Sequence, residues 1–87
     1  VALVCLRGPL KALAGGGVHR VSGATVGELL QSLERAKPPL DGWILDERAQ
    51  LRRHINVFVN GEPGTADTRV SDEDRIDVLP AISGGAA

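Results

Sequence analysis

The sequence predicts an α+β domain: a mixed sheet of four to five strands with one main helix packed on one face. Three observations predict it. Apolar, strand-like runs stand near both ends, a cleanly alternating run lies between them, and one segment repeats its apolar residues at helical spacing. A helix with a single apolar stripe needs a sheet to lie on. Eighty-seven residues allow one such core, because a chain of this size buries roughly 60–65% of its unfolded surface.

Val1-Ala2-Leu3-Val4-Cys5-Leu6 is apolar at every position, the pattern of a strand covered on both faces or at a sheet centre, and its inward face is not legible. Gly8-Pro9 breaks the run, a short Leu10-Lys11-Ala12-Leu13 segment follows, and Gly15-Gly16-Gly17 supplies a turn. Val18-His19-Arg20-Val21 is a second strand, antiparallel to the first, with His19 as an unpartnered surface imidazole. Thr25 opens the helix as its cap, with Glu28 reaching back in a capping-box pattern. Val26, Leu29, Leu30 and Leu33 form the buried stripe, Gln31, Glu34 and Arg35 face away, and Pro38-Pro39 ends the helix after Lys37.

Residues 40–51 are irregular, with Trp43, Ile44 and Leu45 expected to plug an edge of the core. Ile55-Asn56-Val57-Phe58-Val59 alternates, placing Ile55, Val57 and Val59 inward and leaving Phe58 outward. Asn60-Gly61 has hairpin-turn chemistry, Glu62 to Arg69 reads as loop, and Ser71 to Asp74 as an acidic turn. In the last strand, from Arg75 or Ile76, the same period sends Ile76 and Val78 inward and Asp77 and Leu79 outward. Phe58 and Leu79 together make an apolar patch of the kind that marks partner sites on small domains.

Composition excludes several function classes. Ten Lys plus Arg against eleven Asp plus Glu carry neither a nucleic-acid footprint nor an anionic-membrane attraction, so no nucleic acid and no membrane is expected as partner. Arg52-Arg53-His54, the one dense basic cluster, reads as a solvated approach to the following strand. A single cysteine permits no internal disulfide and no zinc cluster, and Cys5 in its apolar run reads as a buried thiol rather than a nucleophile. No signal peptide is recognisable and no apolar stretch reaches the ~20 residues of a membrane span, so a cytoplasmic location is expected. His19 and His54 stand apart with no nucleophile, carboxylate pair or metal-ligand spacing beside them, which makes an enzyme the least supported reading.

The chemistry concentrates at Ile82-Ser83-Gly84-Gly85, which follows directly on the last strand. Without Cβ atoms, Gly84 and Gly85 can thread a narrow channel and leave their backbone carbonyls accessible. A carboxylate ending at Gly85 can attack ATP, become an acyl adenylate and accept a sulfur or amine nucleophile. The reacting group would be the main chain itself. Residues 1–82 are therefore expected to form the domain and residues 83–87 a flexible tail.

The element order resembles the ubiquitin-like β-grasp. Ile55-Asn56-Val57-Phe58-Val59-Asn60-Gly61-Glu62 and Asp74-Arg75-Ile76-Asp77-Val78-Leu79-Pro80-Ala81-Ile82-Ser83-Gly84-Gly85 resemble the central strand and the ending of the ThiS/MoaD sulfur-carrier family. Leu51-Arg52-Arg53-His54-Ile55-Asn56-Val57 is similar to the CysO-type carriers of cysteine synthesis and to molybdopterin-type carriers. The resemblance implies a protein cosubstrate that binds no cofactor. An E1-like adenylyltransferase/sulfurtransferase would use ATP to activate Gly85, and the resulting thiocarboxylate would serve a sulfur-accepting synthase. It further implies that Phe58 and Leu79 dock the activating partner, that Gly84 lends slimness, and that Ile82 anchors the tail in the partner's channel. Ala86 and Ala87 depart from the pattern; they read as a natural extension removed by a processing metalloprotease, with a cloning remnant as the alternative. A protein modifier forming isopeptide bonds, and an interaction module with an inert tail, are the competing functions.

Overall fold

The computed structural model describes residues 1–80. Five strands, β1 (Ala2–Leu6), β2 (Val18–Val21), β3 (Ile55–Val59), β4 (Glu62–Gly64) and β5 (Arg75–Pro80), form one sheet in the order β2-β1-β5-β3-β4. Only β1 and β5 pair in parallel; the other neighbours are antiparallel. A six-residue helix, α1 (Pro9–Ala14), links β1 to β2, and the main helix, α2 (Val26–Ala36), follows β2. This is the ubiquitin-like β-grasp expected from the element order.

The core lies between the sheet and α2. Val4, Val26, Leu29, Leu30, Leu40, Ile44, Ile76 and Val78 are completely buried. The stripe of α2 is buried as its spacing dictates, and the cap forms: the Glu28 N–H donates to Thr25 Oγ1 at 3.2 Å. Glu28 Oε1 in turn accepts from the Ala24 N–H at 3.3 Å, one residue before the cap. The free N–H groups of the first turn would otherwise lack partners. Val26 donates to Thr68 O and Gly27 to Ala66 O, so the loop after β4 closes over the start of the helix.

Several expectations require correction. The segment Leu10 to Leu13, for which the sequence predicts no conformation, is part of α1, started by Pro9 at its first turn and closed by Gly15 in the left-handed conformation. The stretch expected to be loop from Glu62 begins as the edge strand β4. His19 is half-buried rather than unpartnered, its Nε2 lying 2.8 Å from Gly16 O. Val59 is only half-buried, because β4 beyond it is short. Trp43 does not plug the core. It is 51% exposed, whereas its neighbours Ile44 and Leu45 are buried. The physical reason is Glu34, whose Oε2 accepts the N–H groups of Ile44 and Leu45 at 3.1 and 3.2 Å and draws that backbone onto α2.

Asn60 and Gly61 adopt φ of 52° and 87°, and Val59 pairs with Glu62, so a two-residue primed turn joins β3 to β4. Asn60 does more than turn the chain. Its Nδ2 donates to Asp74 Oδ1 and its Oδ1 accepts from the Arg75 N–H, both at 2.9 Å, clasping the end of β3 to the start of β5. The hydrogen bonds from Asn60 and from the Ser71 N–H hold the Asp74 carboxyl below its usual range. A depressed carboxylate contributes stability that is complete above the unfolded-state value and is lost as pH falls through the folded value. Urea midpoints measured on the acid side of the ordinary aspartate range should therefore fall less for Asp74→Asn than for the parent chain. Equal acid slopes would show that the clasp does not depend on the charge.

Candidate functional site

The site is built on β5, the central strand. It pairs with β1 through Leu3↔Arg75 to Leu6↔Val78 and with β3 through Ile55↔Pro80 to Val59↔Ile76. It is paired on both sides as far as Val78, and its far end, Leu79 and Pro80, is held by β3. Pro80 is the last described residue; Ile82, Gly84, Gly85, Ala86 and Ala87, named above as tail anchor, reacting group and processing residues, lie outside the described residues.

Ile76 and Val78 of β5 point to the core, and Asp77 and Leu79 lie on the opposite, outer face. The pairing brings the two expected docking residues together: Phe58 stands opposite Asp77 and Leu79 opposite Asn56. They are diagonal neighbours, about 7–8 Å apart in such a ladder. Both are half-buried rather than fully open; Phe58 lies between β4 and β5, and Leu79 is paired with β3. Continuing the register across the sheet gives a row Val18, Cys5, Asp77, Phe58 and Pro63, with Leu3 beside it. Val18 is 65% exposed and Leu3 39%, while Cys5 is a buried free thiol, as its apolar run suggested.

Leu3 and Val18 belong to this surface and were not singled out from sequence. A run that is apolar at every position does not reveal its faces, and only the pairing with β2 and β5 assigns Leu3 outward. The charges on the face were also missed. Asp77 Oδ1 lies 3.6 Å from Arg7 Nη2 and 3.4 Å from Arg75 Nη2, with Arg20 on the strand beyond. Exposed pairs of this kind contribute about 1 kcal/mol at most, so they orient side chains more than they stabilise the fold. Three arginines against one aspartate leave the face two charges positive, in a chain whose net charge is −1. The remaining residues together carry a charge of −3.

Among the described residues there is no cluster of three or more His, Cys, Asp or Glu that could hold a metal, and no helix is long and apolar enough to cross a membrane. Arg52, Arg53 and His54 are exposed in the turn leading into β3, as expected. What this arrangement offers chemically is a partly apolar, positively charged face beside a rigid exit for the chain end.

Known proteins share this architecture. The model of the ThiS family matches residues 8–85. The chain is 36% identical to small archaeal modifier protein 1 of Haloferax volcanii over 62 residues, 71% of each chain. It is 31% identical to the sulfur carrier protein CysO of Mycobacterium tuberculosis over 70 residues, 74% of this chain and 75% of the relative. Among solved structures, the crystal structure of small archaeal modifier protein 1 from Haloferax volcanii superposes with a TM-score of 0.86 at 32% identity, covering 97% of this chain and 98% of that one. The crystal structure of the BexX/CysO complex of Amycolatopsis orientalis contains a chain similar at a TM-score of 0.85 and 31% identity, covering 98% of this chain and all of that one.

Proposed function

The chain belongs to the ThiS family, and from that premise we propose that it is a sulfur-carrier protein whose Gly85 carboxylate is activated and converted to a thiocarboxylate. The observation that carries this reading is β5. A strand paired on both sides as far as Val78, and with β3 alone to Pro80, ends five residues before Gly85, so a folded body presents the chain that bears the proposed reacting group. The similarity to CysO sulfur carriers supports it.

In this reading a Gly85 carboxylate oxygen attacks the α-phosphorus of ATP on an E1-like enzyme and pyrophosphate leaves. Hydrosulfide then attacks the acyl carbon and AMP departs with the former carboxylate oxygen. The thiocarboxylate delivers its sulfur to a synthase of cytoplasmic metabolism. Gly84 and Gly85 pass the enzyme's channel, Ile82 anchors the tail there, and a metalloprotease first removes Ala86 and Ala87. Phe58 and Leu79 dock the body, and the surplus of arginine on their face suits an acidic partner surface.

The test is an intact-mass measurement. The chain ending at Gly85, incubated with the activating enzyme, ATP and sulfide, should exchange one oxygen for sulfur; a mass that never changes overturns the proposal. Phe58→Asp in the same assay should slow exchange by roughly 100-fold, the scale of a central interface residue, with an unaltered circular-dichroism spectrum.

The similarity to small archaeal modifier proteins supports a second reading, in which the same adenylate is captured by a lysine amine to form an isopeptide bond. Immunoblots of cell extract distinguish it, because discrete larger species that vanish on deletion of Gly85 would favour conjugation.

A further inference from the structure

Two features stand outside the face described above: the exposed indole of Trp43 and the basic run from Arg52 to His54. The fold brings them together. Trp43, Arg52 and His54 line a cavity of about 450 Å³ whose other walls are Pro9, Leu10, Gly42, Ile55 and Pro80. Pro80 pairs with Ile55, whose side chain points to the core side, so the cavity opens on the side of the sheet opposite Phe58 and Leu79.

The exposure of Trp43 is built into the loop. Its N–H donates to Leu40 O at 2.8 Å, the next two N–H groups are held by Glu34, and Arg52 N donates to Ile44 O at 3.0 Å. With Ile44 and Leu45 fastened inward, the largest side chain of the loop is turned to the surface. Leaving an indole half in water forgoes apolar burial, and aromatic side chains are enriched where another surface completes that burial. The rim carries the Arg52 guanidinium and the His54 imidazole. Among the described residues Arg52, Arg53 and His54 enter no ion pair, and Arg52 acts on Asp46 only as a weak charge behind the backbone hydrogen bonds from Gln50 and Arg48.

We propose that this cavity is a second docking site, which receives an apolar side chain flanked by carboxylates on the protein that handles the C-terminal tail. The identity of that protein rests on the sulfur-carrier reading; the chemistry of the pocket does not. Its apolar walls take the side chain, its basic rim selects the carboxylates, and Pro80 sets the location. A partner that grips the residues just after Pro80 has this pocket within immediate reach.

Two hexapeptides serve as probes, each with a central Leu-Phe and no Trp or Tyr, one flanked by glutamates and the other by lysines. Titrated into the full chain, the acidic peptide should shift Trp43 emission saturably, with a Kd in the roughly millimolar range of so small an interface, and bind at least about tenfold more tightly than the basic one. Its amide chemical-shift changes should centre on Trp43, Arg52 and Ile55. The double change Arg52→Glu, His54→Glu should invert the preference, and Trp43→Ala should abolish binding by calorimetry, both with unchanged circular dichroism. Equal binding of the two peptides, changes centred on Phe58 and Leu79, or a chain dimer dispersed by Trp43→Ala would overturn the proposal. Sulfur exchange at Gly85, measured separately, reports on the carrier reading: loss of exchange with intact acidic-peptide binding rejects that reading and leaves the pocket standing.

Discussion

Ile76→Ala should lower the stability of this protein by about 2–5 kcal/mol, the range for truncating a buried aliphatic side chain. Ile76 is completely buried on the central strand, where β1 lies on one side and β3 on the other, so few neighbours are free to collapse into the space left behind. A domain of this length has roughly 4–13 kcal/mol in all, so this one change removes a large share of it. Urea unfolding followed by circular dichroism checks it. With a slope of about 1 kcal/mol/M for a small domain, the midpoint should fall by roughly 2–5 M, or the variant should be unfolded without denaturant. Val18→Ala is the control: Val18 is largely in solvent, and its truncation should stay within about 0.5 kcal/mol. Comparable losses for the two would contradict the assigned faces of the sheet.

Gly85→Val, in the chain ending at that residue, should abolish exchange of oxygen for sulfur while leaving the urea midpoint unchanged. In the proposed mechanism a branched side chain at position 85 would obstruct a channel that admits backbone alone and displace the carboxylate from the α-phosphorus. Misplacement of reacting atoms by about 1 Å costs on the order of 100-fold in rate. Intact-mass kinetics with the activating enzyme gives the rate, and the unfolding curve gives the control. Exchange at the parent rate would show that the channel does not require a bare backbone, and a lowered midpoint would show that Gly85 belongs to the folded body.

The two changes separate the roles of neighbouring parts of one chain. Ile76 acts through packing within β5, and Gly85 is proposed to act in chemistry alone. In between, Leu79 and Phe58 connect the two, because the strand that seals the core also carries part of the outward face proposed for docking.

The legible parts were those governed by neighbours in the chain. The cap at Thr25, the stripe from Val26 to Leu33, the stop at Pro38-Pro39 and the primed turn at Asn60-Gly61 follow from hydrogen bonds and steric limits that span a few residues. Inward Ile55, Val57, Ile76 and Val78 follow from the period of two. The short strand β4 was not legible, because Glu62, Pro63 and Gly64 carry no strand signature and pair only because the turn delivers them to β3.

Taken alone, the amino-acid order determined the main helix, most of the strands and the element order that resembles a grasp-type roll, since these rest on local periodicity and capping, and it named the glycine pair on which the proposed chemistry rests. Tertiary structure alone decided that Leu3 and Val18 join Phe58 and Leu79, that Asp77 sits between Arg7 and Arg75, and that Trp43 faces water beside Arg52 and His54. Those outcomes depend on which strands become neighbours and in what register, and on one carboxylate, Glu34, holding a distant loop. Contacts between residues far apart in the chain leave no periodic trace in either segment.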